Sequence, residues 1–251
     1  MNKPVVYILL TLFLVFASYH IWHQLPARPH VNDIWVINLD KDRDRWDNIV
    51  KRTQHIKDIV HRWPATYGKT QKREDMHKDG VGYAMTQGSD RTSKEISNAG
   101  VAGCWLSHKR LLNHLASLDV PDSYGHLISE DDVEFPLDFL KPGDRWHELY
   151  KHVPLDWDVV YLGITQPVGT KIHPNIYRAA KGHGNWGTHS YMVRHGALKS
   201  KILPDMEWMT DAIDEQYKQY FHKWNVYLID PSIITLNEKL SENSSIQSYK
   251  K

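Results

Sequence analysis

The amino-acid sequence predicts an α/β domain with a mainly parallel central sheet. Short apolar runs with strand character alternate with amphipathic helical segments, and polar turns that carry glycine or proline separate them. This alternation of strands and helices is typical of parallel α/β folds. The chain has 251 residues, 41% of them hydrophobic, which is enough apolar material for one sizeable core.

The first part of the globular region predicts a strand, a helix and a long loop. Residues 34–39 form an apolar run that reads as a buried first strand, and Asp40 or Asp42 can cap the helix that follows. Apolar residues then recur at three- and four-residue steps up to Trp63, which predicts a helix to that point. Residues 64–97 are polar and show little periodicity, so we interpret them as a long loop with room for a short helix.

Residues 100–118 give the clearest helical pattern in the chain. One face of this helix carries Val101, Cys104, Trp105, His108, Leu111, Leu112 and Leu115. His108 is therefore expected to point inward beside the core. From the helix alone, a hydrogen-bonded core histidine is the simpler interpretation of that residue.

The second half continues the alternation. In chain order the expected elements are strands at 126–130, 158–163, 187–193 and 225–230, a partly helical segment at 138–150, a polar loop at 171–186, and helices at 195–203 and 210–221. Together with the first strand these segments predict a mainly parallel α/β sheet.

The stretch that ends in Glu130, Asp131 and Asp132 is the most informative. Three adjacent carboxylates repel one another unless a positive charge lies among them. In open α/β sheets ligands bind at the carboxyl ends of strands, and hard divalent cations prefer oxygen ligands. The stretch therefore predicts a metal-bridged phosphate site, with a solvated, inert acidic turn as the alternative.

Charge and cysteine content limit the possible partners. Lys and Arg (31) nearly balance Asp and Glu (30), so bulk charge gives no argument for a nucleic-acid partner. Cys104 is the only cysteine, which excludes an intrachain disulfide without fixing the compartment.

The sequence of residues 1–22 is typical of a segment that targets a protein to a membrane. The apolar run at 5–17 can be extended to Trp22, which gives a short transmembrane helix or a signal peptide. Tyr19 and Trp22 suit an interfacial aromatic belt. We favour an uncleaved signal-anchor in a single-pass type II membrane protein.

This topology divides the rest of the chain into residues 23–31 as a stem and 32–251 as the globular domain. The domain would lie in the lumen of the endoplasmic reticulum or Golgi, or otherwise outside the cytoplasm. The glycosylation sequon at 243–245 (Asn-Ser-Ser) agrees with that side of the membrane.

Six motifs occur in a fixed order along the globular part. They are 36–40 (Val-Ile-Asn-Leu-Asp) with 43–45 (Arg-Asp-Arg), 64–69 (Pro-Ala-Thr-Tyr-Gly-Lys), 103–108 (Gly-Cys-Trp-Leu-Ser-His), 128–132 (Ile-Ser-Glu-Asp-Asp), 187–193 (Gly-Thr-His-Ser-Tyr-Met-Val) with 196–197 (Gly-Ala), and 213–215 (Ile-Asp-Glu). In this order they resemble glycosyltransferase family 25, which includes bacterial lipopolysaccharide and collagen hydroxylysine galactosyltransferases. One departure is clear, because the family usually has Gly-Glu where this chain has Gly100 and Val101.

The resemblance implies a GT-A-like, Rossmann-type fold and transfer of a hexose, most often galactose, from a UDP-sugar. The acceptor would be a glycan, a glycolipid or a hydroxylysine-type hydroxyl. Mn²⁺ or Mg²⁺ held by carboxylates would offset the charge that develops on the leaving diphosphate. Glu130 and Asp132 are the expected metal ligands, because alternate side chains share a face of an extended strand. Asp131 points to the other face and is counted among the donor-binding residues.

The resemblance also implies roles for residues outside the acidic stretch. Asp214, with Glu215 second, is the candidate general base if transfer inverts the anomeric centre. Both acids would equally satisfy the dipole at a helix N-terminus. The remaining expected donor-binding residues are Asn38, Arg45, Ser107, His108, Tyr161 and Thr188.

Two other functions stay open. A metal-dependent phosphoesterase could use the same acids but would need further ligands from other strands. A membrane-anchored glycan-binding or inactive transferase-like protein gains weight from the departure at Val101.

Overall fold

The computed structural model describes residues 27–82, 98–182 and 184–241. The segment predicted to be a membrane anchor, the first part of the stem and the sequon lie outside these residues. Within the described ranges no helix is both long enough and apolar enough to cross a membrane.

Strands and helices alternate through the described residues. The strands are β1 Asp33–Asn38, β2 Val60–Pro64, β3 Gly125–Glu130, β4 Val133–Glu134, β5 Val159–Thr165, β6 Gly169–His173, β7 Ile176–Ala179, β8 Trp186–Arg194, β9 Val226–Ile229 and β10 Thr235–Leu236. The α-helices are α1 Arg43–Thr53, α2 Arg73–Lys78, α3 Asn98–Ala116, α4 Arg145–Leu149, α5 His195–Ala197, α6 Leu203–Asp205, α7 Ile213–Gln219 and α8 Glu238–Ser241. Short 3₁₀ turns at Gln54–Ile59, Gly68–Thr70 and Tyr150–His152 and a π-helical turn at Leu198–Ile202 join them.

Eight of the strands form one sheet in the order β2-β1-β3-β8-β5-β9-β7-β6. β1 is parallel to both β2 and β3, and β5 is parallel to β9. β8 is antiparallel to both its neighbours, β3 and β5, so the sheet is mixed, with its parallel half at β2-β1-β3. The α/β class is confirmed, and the architecture is consistent with the GT-A-like, Rossmann-type fold that the resemblance implies.

Apolar layers cover the two faces of the sheet. The predicted inner face of α3 is confirmed, because Trp105, Leu111 and Leu112 are fully buried in the layer on that side. The opposite layer contains Ile34 and Trp157. Each fully buried large apolar side chain contributes about 1.5–3 kcal/mol relative to an exposed one, so α3 is fixed firmly against the sheet.

Three sequence-based boundaries were wrong. The first helix ends at Thr53, and Val60–Pro64 forms the half-buried strand β2, because backbone pairing with β1 decides the structure of this segment. The supposed loop at 171–186 contains part of the β6–β7 hairpin, whose polar side chains suit an exposed sheet edge. The helical segment from His195 passes Pro204 and ends at Asp205.

The end of the expected stem lies against the domain. Trp157 Nε1 donates to the carbonyl of Ala27 over 2.9 Å, Arg28 donates to the carbonyl of Val153, and Val31 is buried. Residues 27–31 are therefore packed on the globular part.

Candidate active site

A cleft opens at the carboxyl ends of β1 and β3, which pair in parallel so that Ile37 faces Glu130. The first half of α3 and the loop after β2 form its other walls. The lining residues are Ile37, Leu39, Asp42, Arg45, Ala65, Thr66, Tyr67, Gly68, Gly100, Cys104, Ser107, His108, Glu130, Asp131 and Asp132. This is the edge at which α/β sheets bind ligands.

The loop after β2 reaches the cleft because two glycines let its backbone approach α3. A Cβ added at Gly103 would lie 2.6 Å from the Gly68 nitrogen and 2.7 Å from the Thr66 carbonyl oxygen. The Ser107 hydroxyl accepts a hydrogen bond from the Thr66 N–H at 2.8 Å and donates to the Gly103 carbonyl at 2.6 Å. Ser107, expected to bind the donor, therefore holds this wall in place.

Glu130 ends β3 and is held from β8 and α3. Thr188 Oγ1 donates to Glu130 Oε1 at 2.9 Å, and His108 Nε2 lies 3.6 Å from the same oxygen. Burial by itself raises the pKa of Glu130, but His108, Thr188 and His189 outweigh burial, so its pKa lies below the ordinary value. Glu130 is therefore held as a carboxylate, with His108 and Thr188, two of the expected donor-binding residues, beside it.

Asp132 has the opposite electrostatic environment. Burial, and next the nearby charge of Glu130, raise the pKa of Asp132 to about 7. Its Oδ1 atom is buried and has no hydrogen-bond partner among the described residues. Two close carboxylates with one raised pKa form an arrangement that a bound divalent cation relieves. The donor set of Glu130 and Asp132 therefore fits the hard cation that the sequence predicted.

Asp131 belongs to a separate network that fixes the turn. Asn38 Nδ2 donates to Asp131 Oδ2, and Arg45 Nη1 donates to Oδ1, both at 2.7 Å. Arg45 also donates to the Leu240 carbonyl at 2.8 Å. Three expected donor-binding residues therefore bond to one another, and Arg45 also links them to the C-terminal part of the chain.

The C-terminal part forms a strap over the acidic turn, comprising β10 and α8. β10 pairs with β4, the Asn237 N–H donates to the Asp132 carbonyl at 2.7 Å, and Asn237 Nδ2 donates to Glu134 at 3.0 Å. Nothing in the sequence pattern pointed to this contact between residues more than a hundred positions apart.

Asp214 and Glu215 open α7, and their environments differ. Asp214 accepts from the Gly187 N–H at 3.0 Å and from the Glu215 N–H at 2.9 Å, while burial raises its pKa. Glu215 is partly exposed and forms an ion pair with Lys218 at 2.6 Å. Burial raises the pKa of Cys104, and Glu130, Asp214 and Asp132 then raise it further, so Asp214 lies within electrostatic reach of the cleft.

Tyr161 lies in the core. It is 1% exposed and packs against Tyr191 and Phe221 with ring centroids 5.8 and 6.2 Å apart. Its side chain is not among those that line the cleft. Because side chains alternate along a strand, the Tyr161 side chain points to the sheet face that α3 covers and not into the cleft.

Sequence reasoning passed over Cys104 as a site residue. Cys104 and His108 are one helical turn apart, and their ligand atoms and one from Glu130 all lie within 4.8 Å of one another. The four-residue spacing on the inner face of α3 was a signal that could have linked the first two. His189, buried beside Glu130, was likewise not singled out.

Comparison with known proteins agrees with the motif order. A family model described as "Glycosyltransferase family 25 (LPS biosynthesis protein)" matches residues 31–215. Procollagen galactosyltransferase 2 of Homo sapiens is 24% identical over 214 residues, which are 78% of this chain and 33% of the relative. Procollagen galactosyltransferase 1 of Danio rerio is 25% identical over 209 residues, 76% of this chain and 33% of the relative.

Another relative carries a different description. Inactive glycosyltransferase 25 family member 3 of Homo sapiens is 24% identical over 234 residues, 82% of this chain and 36% of the relative. The chain thus spans about a third of the length of these relatives. The family match covers most of the chain and includes the cleft, its acidic turn and the opening of α7, so the protein belongs to glycosyltransferase family 25.

Proposed function

We propose that this domain transfers a hexose, with galactose as the first candidate, from a UDP-sugar to a hydroxyl acceptor. The observation that carries the proposal is the pair of carboxylates at and just after the end of β3, of which Asp132 has a buried oxygen with no hydrogen-bond partner in the part of the chain that the structure describes. A family 25 member with such a pair in its cleft is suited to bind a nucleotide diphosphate through a cation.

Glu130 and Asp132 would hold Mn²⁺ or Mg²⁺. When bound, the cation supplies charge neutralisation for the diphosphate leaving group. The protein's own contribution is preorganisation: Thr188 orients Glu130 at 2.9 Å, and the Asn38–Arg45–Asp131 network fixes the turn. Such preorganised charges need no rearrangement as the glycosidic bond breaks.

Asp214 is the proposed general base for the acceptor hydroxyl. Burial raises its pKa, which strengthens it as a base, and two backbone N–H groups fix its orientation. Glu215 ranks second because its carboxylate is partly exposed and already paired with Lys218 at 2.6 Å.

The acceptor and the location are proposed from the relatives and the sequence. Relatives named procollagen galactosyltransferases favour a hydroxylysine-type hydroxyl, and the family description favours a glycan or glycolipid. The apolar N-terminal run favours a membrane-anchored domain on the lumenal or another extracytoplasmic side.

A donor screen with the purified full chain tests the function. UDP- and GDP-sugars are incubated with and without Mn²⁺, and release of the nucleotide is measured. We expect Mn²⁺-dependent release from one UDP-sugar, loss of release in Asp132→Asn, and retention in the matched control Asp138→Asn, whose side chain is exposed. Metal-independent release, or full activity of Asp132→Asn, would contradict the metal assignment.

The Asp214→Asn variant tests the base separately. If Asp214 takes the acceptor proton, UDP binding persists while sugar transfer falls by about 10²–10⁴-fold. If Asp214→Asn transfers sugar at the full rate, Asp214 is not the general base, and Glu215→Gln is the next variant to test.

A non-catalytic glycan-binding protein is the second candidate, because one relative is named an inactive family member and Val101 departs from the family pattern. This candidate would be favoured if the chain is folded and binds glycans but releases no nucleotide from any donor. Phosphodiester hydrolysis without a sugar donor would instead favour a phosphoesterase.

A further inference from the structure

A second group of metal-ligand atoms lies on the α3 side of the acidic turn. Cys104 and His108 project from successive turns of α3, and Glu130 faces them from the end of β3. Their ligand atoms all lie within 4.8 Å of one another. The thiol distinguishes this trio from the pair formed by Glu130 and Asp132, because sulfur is a poor ligand for Mg²⁺ and Mn²⁺.

The imidazole of His108 is the independent sign of a ligand. The side chain is completely buried, and its Nδ1 atom lies 2.8 Å from the hydroxyl of Tyr191. Its Nε2 atom has no hydrogen-bond partner among the described residues, although it is buried and faces Glu130 Oε1 at 3.6 Å. Metal-bound histidines commonly have one nitrogen fixed by an outer partner and the other directed at the ion.

The spacing suits a small tetrahedral ion. With bonds of about 2.0–2.3 Å, two ligand atoms of tetrahedral Zn²⁺ lie about 3.3–3.6 Å apart. The separation of 3.6 Å between His108 Nε2 and Glu130 Oε1 is already at that value. Cys104 lies on the same helix face as His108, and its sulfur is within 4.8 Å of the other two ligand atoms.

We infer that Cys104, His108 and Glu130 bind Zn²⁺ or another borderline-soft divalent ion, with a fourth position open to water. Binding exchanges the thiol proton for the metal, and the proton passes to solvent. Because Glu130 is shared, Zn²⁺ in this site withdraws a ligand from the hard-cation pair and inhibits transfer. The inhibitory consequence rests on the proposed function, whereas the binding site itself does not.

Spectroscopy on the full chain with Co²⁺ alone tests the site without any sugar. Co²⁺ replaces Zn²⁺ in tetrahedral sites and gives an intense absorption when a thiolate binds it. Cys104 is the only cysteine in the sequence, so this absorption reports on Cys104 whatever the surface histidines bind. We expect the absorption to saturate and to disappear when Zn²⁺ is added.

Two variants should each weaken one of the two metal sites and leave the other intact. Cys104→Ser should lose the thiolate absorption and weaken Zn²⁺ binding by about tenfold or more, yet bind Mn²⁺ like the wild type in paramagnetic resonance. Asp132→Asn should weaken Mn²⁺ binding and keep the absorption. In the wild-type chain, Zn²⁺ should also slow alkylation of the thiol, a measurement that needs no variant.

The outcomes distinguish the site from the proposed function. No thiolate absorption together with no protection from alkylation overturns the site, even if UDP release is normal. Absorption and protection without release from any donor leave the site standing and overturn the transferase. If both the Zn²⁺ site and the transferase are supported, Zn²⁺ should inhibit Cys104→Ser less than the wild type. The ratio of activity with Zn²⁺ to activity without it should then rise toward one, and an unchanged ratio would overturn the inhibition.

Discussion

Substituting Gly103 by alanine tests whether the close contact between α3 and the loop after β2 shapes the cleft. The new Cβ would lie 2.6 Å from the Gly68 nitrogen and 2.7 Å from the Thr66 oxygen. Both are backbone atoms and cannot rotate away, so we take the upper end of overpacking costs, about 3 kcal/mol. The gain in helix propensity from glycine to alanine offsets about 1 kcal/mol.

The expected net loss is therefore about 2 kcal/mol in the free energy of unfolding, or about 4–8 °C in Tm for a domain of this size. Urea and thermal unfolding of the full chain measure it, and UDP binding should weaken because the wall moves. Gly82→Ala is the matched control, because a Cβ there meets no described atom within 4 Å. A Gly103→Ala protein as stable as the wild type, with the same UDP affinity, would refute the reasoning.

Three further variants probe the interior. Arg45→Met should cost about 3 kcal/mol in urea unfolding, because it leaves the buried Asp131 carboxylate without its cation; a loss below about 1 kcal/mol would show that the pair is not needed. Burial, and then nearby positive charge, lowers the pKa of His195 to about 4 in the folded chain. As pH falls below about 6.5, the unfolded chain therefore binds a proton at this imidazole before the folded chain does. Stability should therefore drop between pH 7 and 4 by about 3 kcal/mol more in the wild type than in His195→Gln; equal pH slopes would contradict this. Tyr191→Phe removes the hydroxyl 2.8 Å from His108 Nδ1 and should lower stability by about 1–2 kcal/mol and Zn²⁺ affinity by about tenfold; unchanged Zn²⁺ affinity would show that the hydroxyl does not orient the ring.

Local periodicity was enough for the buried elements. β1, β3 and the inner face of α3 were predicted because both faces of the strands and one face of the helix are apolar. The edges of the sheet were not, since β2 is only half buried and β6 is largely exposed. At an edge the backbone pairing decides the structure, and side-chain pattern carries little of that information.

The candidate site likewise has one part that local sequence pattern suggested and another part that it did not. Strand alternation suggested that Asp131 faces away from Glu130 and Asp132; in the structure β3 ends at Glu130, and Asp131 accepts hydrogen bonds from Asn38 and Arg45. The partners themselves lie 93 and 86 residues away in sequence, and no local pattern encodes such distances. Tyr161 illustrates the converse, because the family resemblance suggested that it binds the donor while its side chain lies in the core.

The strap formed by β10 and α8 has a consequence for how the protein matures. A chain leaves the ribosome from its N-terminus, so β1, α3 and β3 emerge long before Asn237 and Leu240. The bonds from these two residues to the acidic turn and to Arg45 can form only when synthesis has passed them. A nascent chain would thus hold an acidic turn without these bonds, and a truncation at 215, where the family match ends, would never form them.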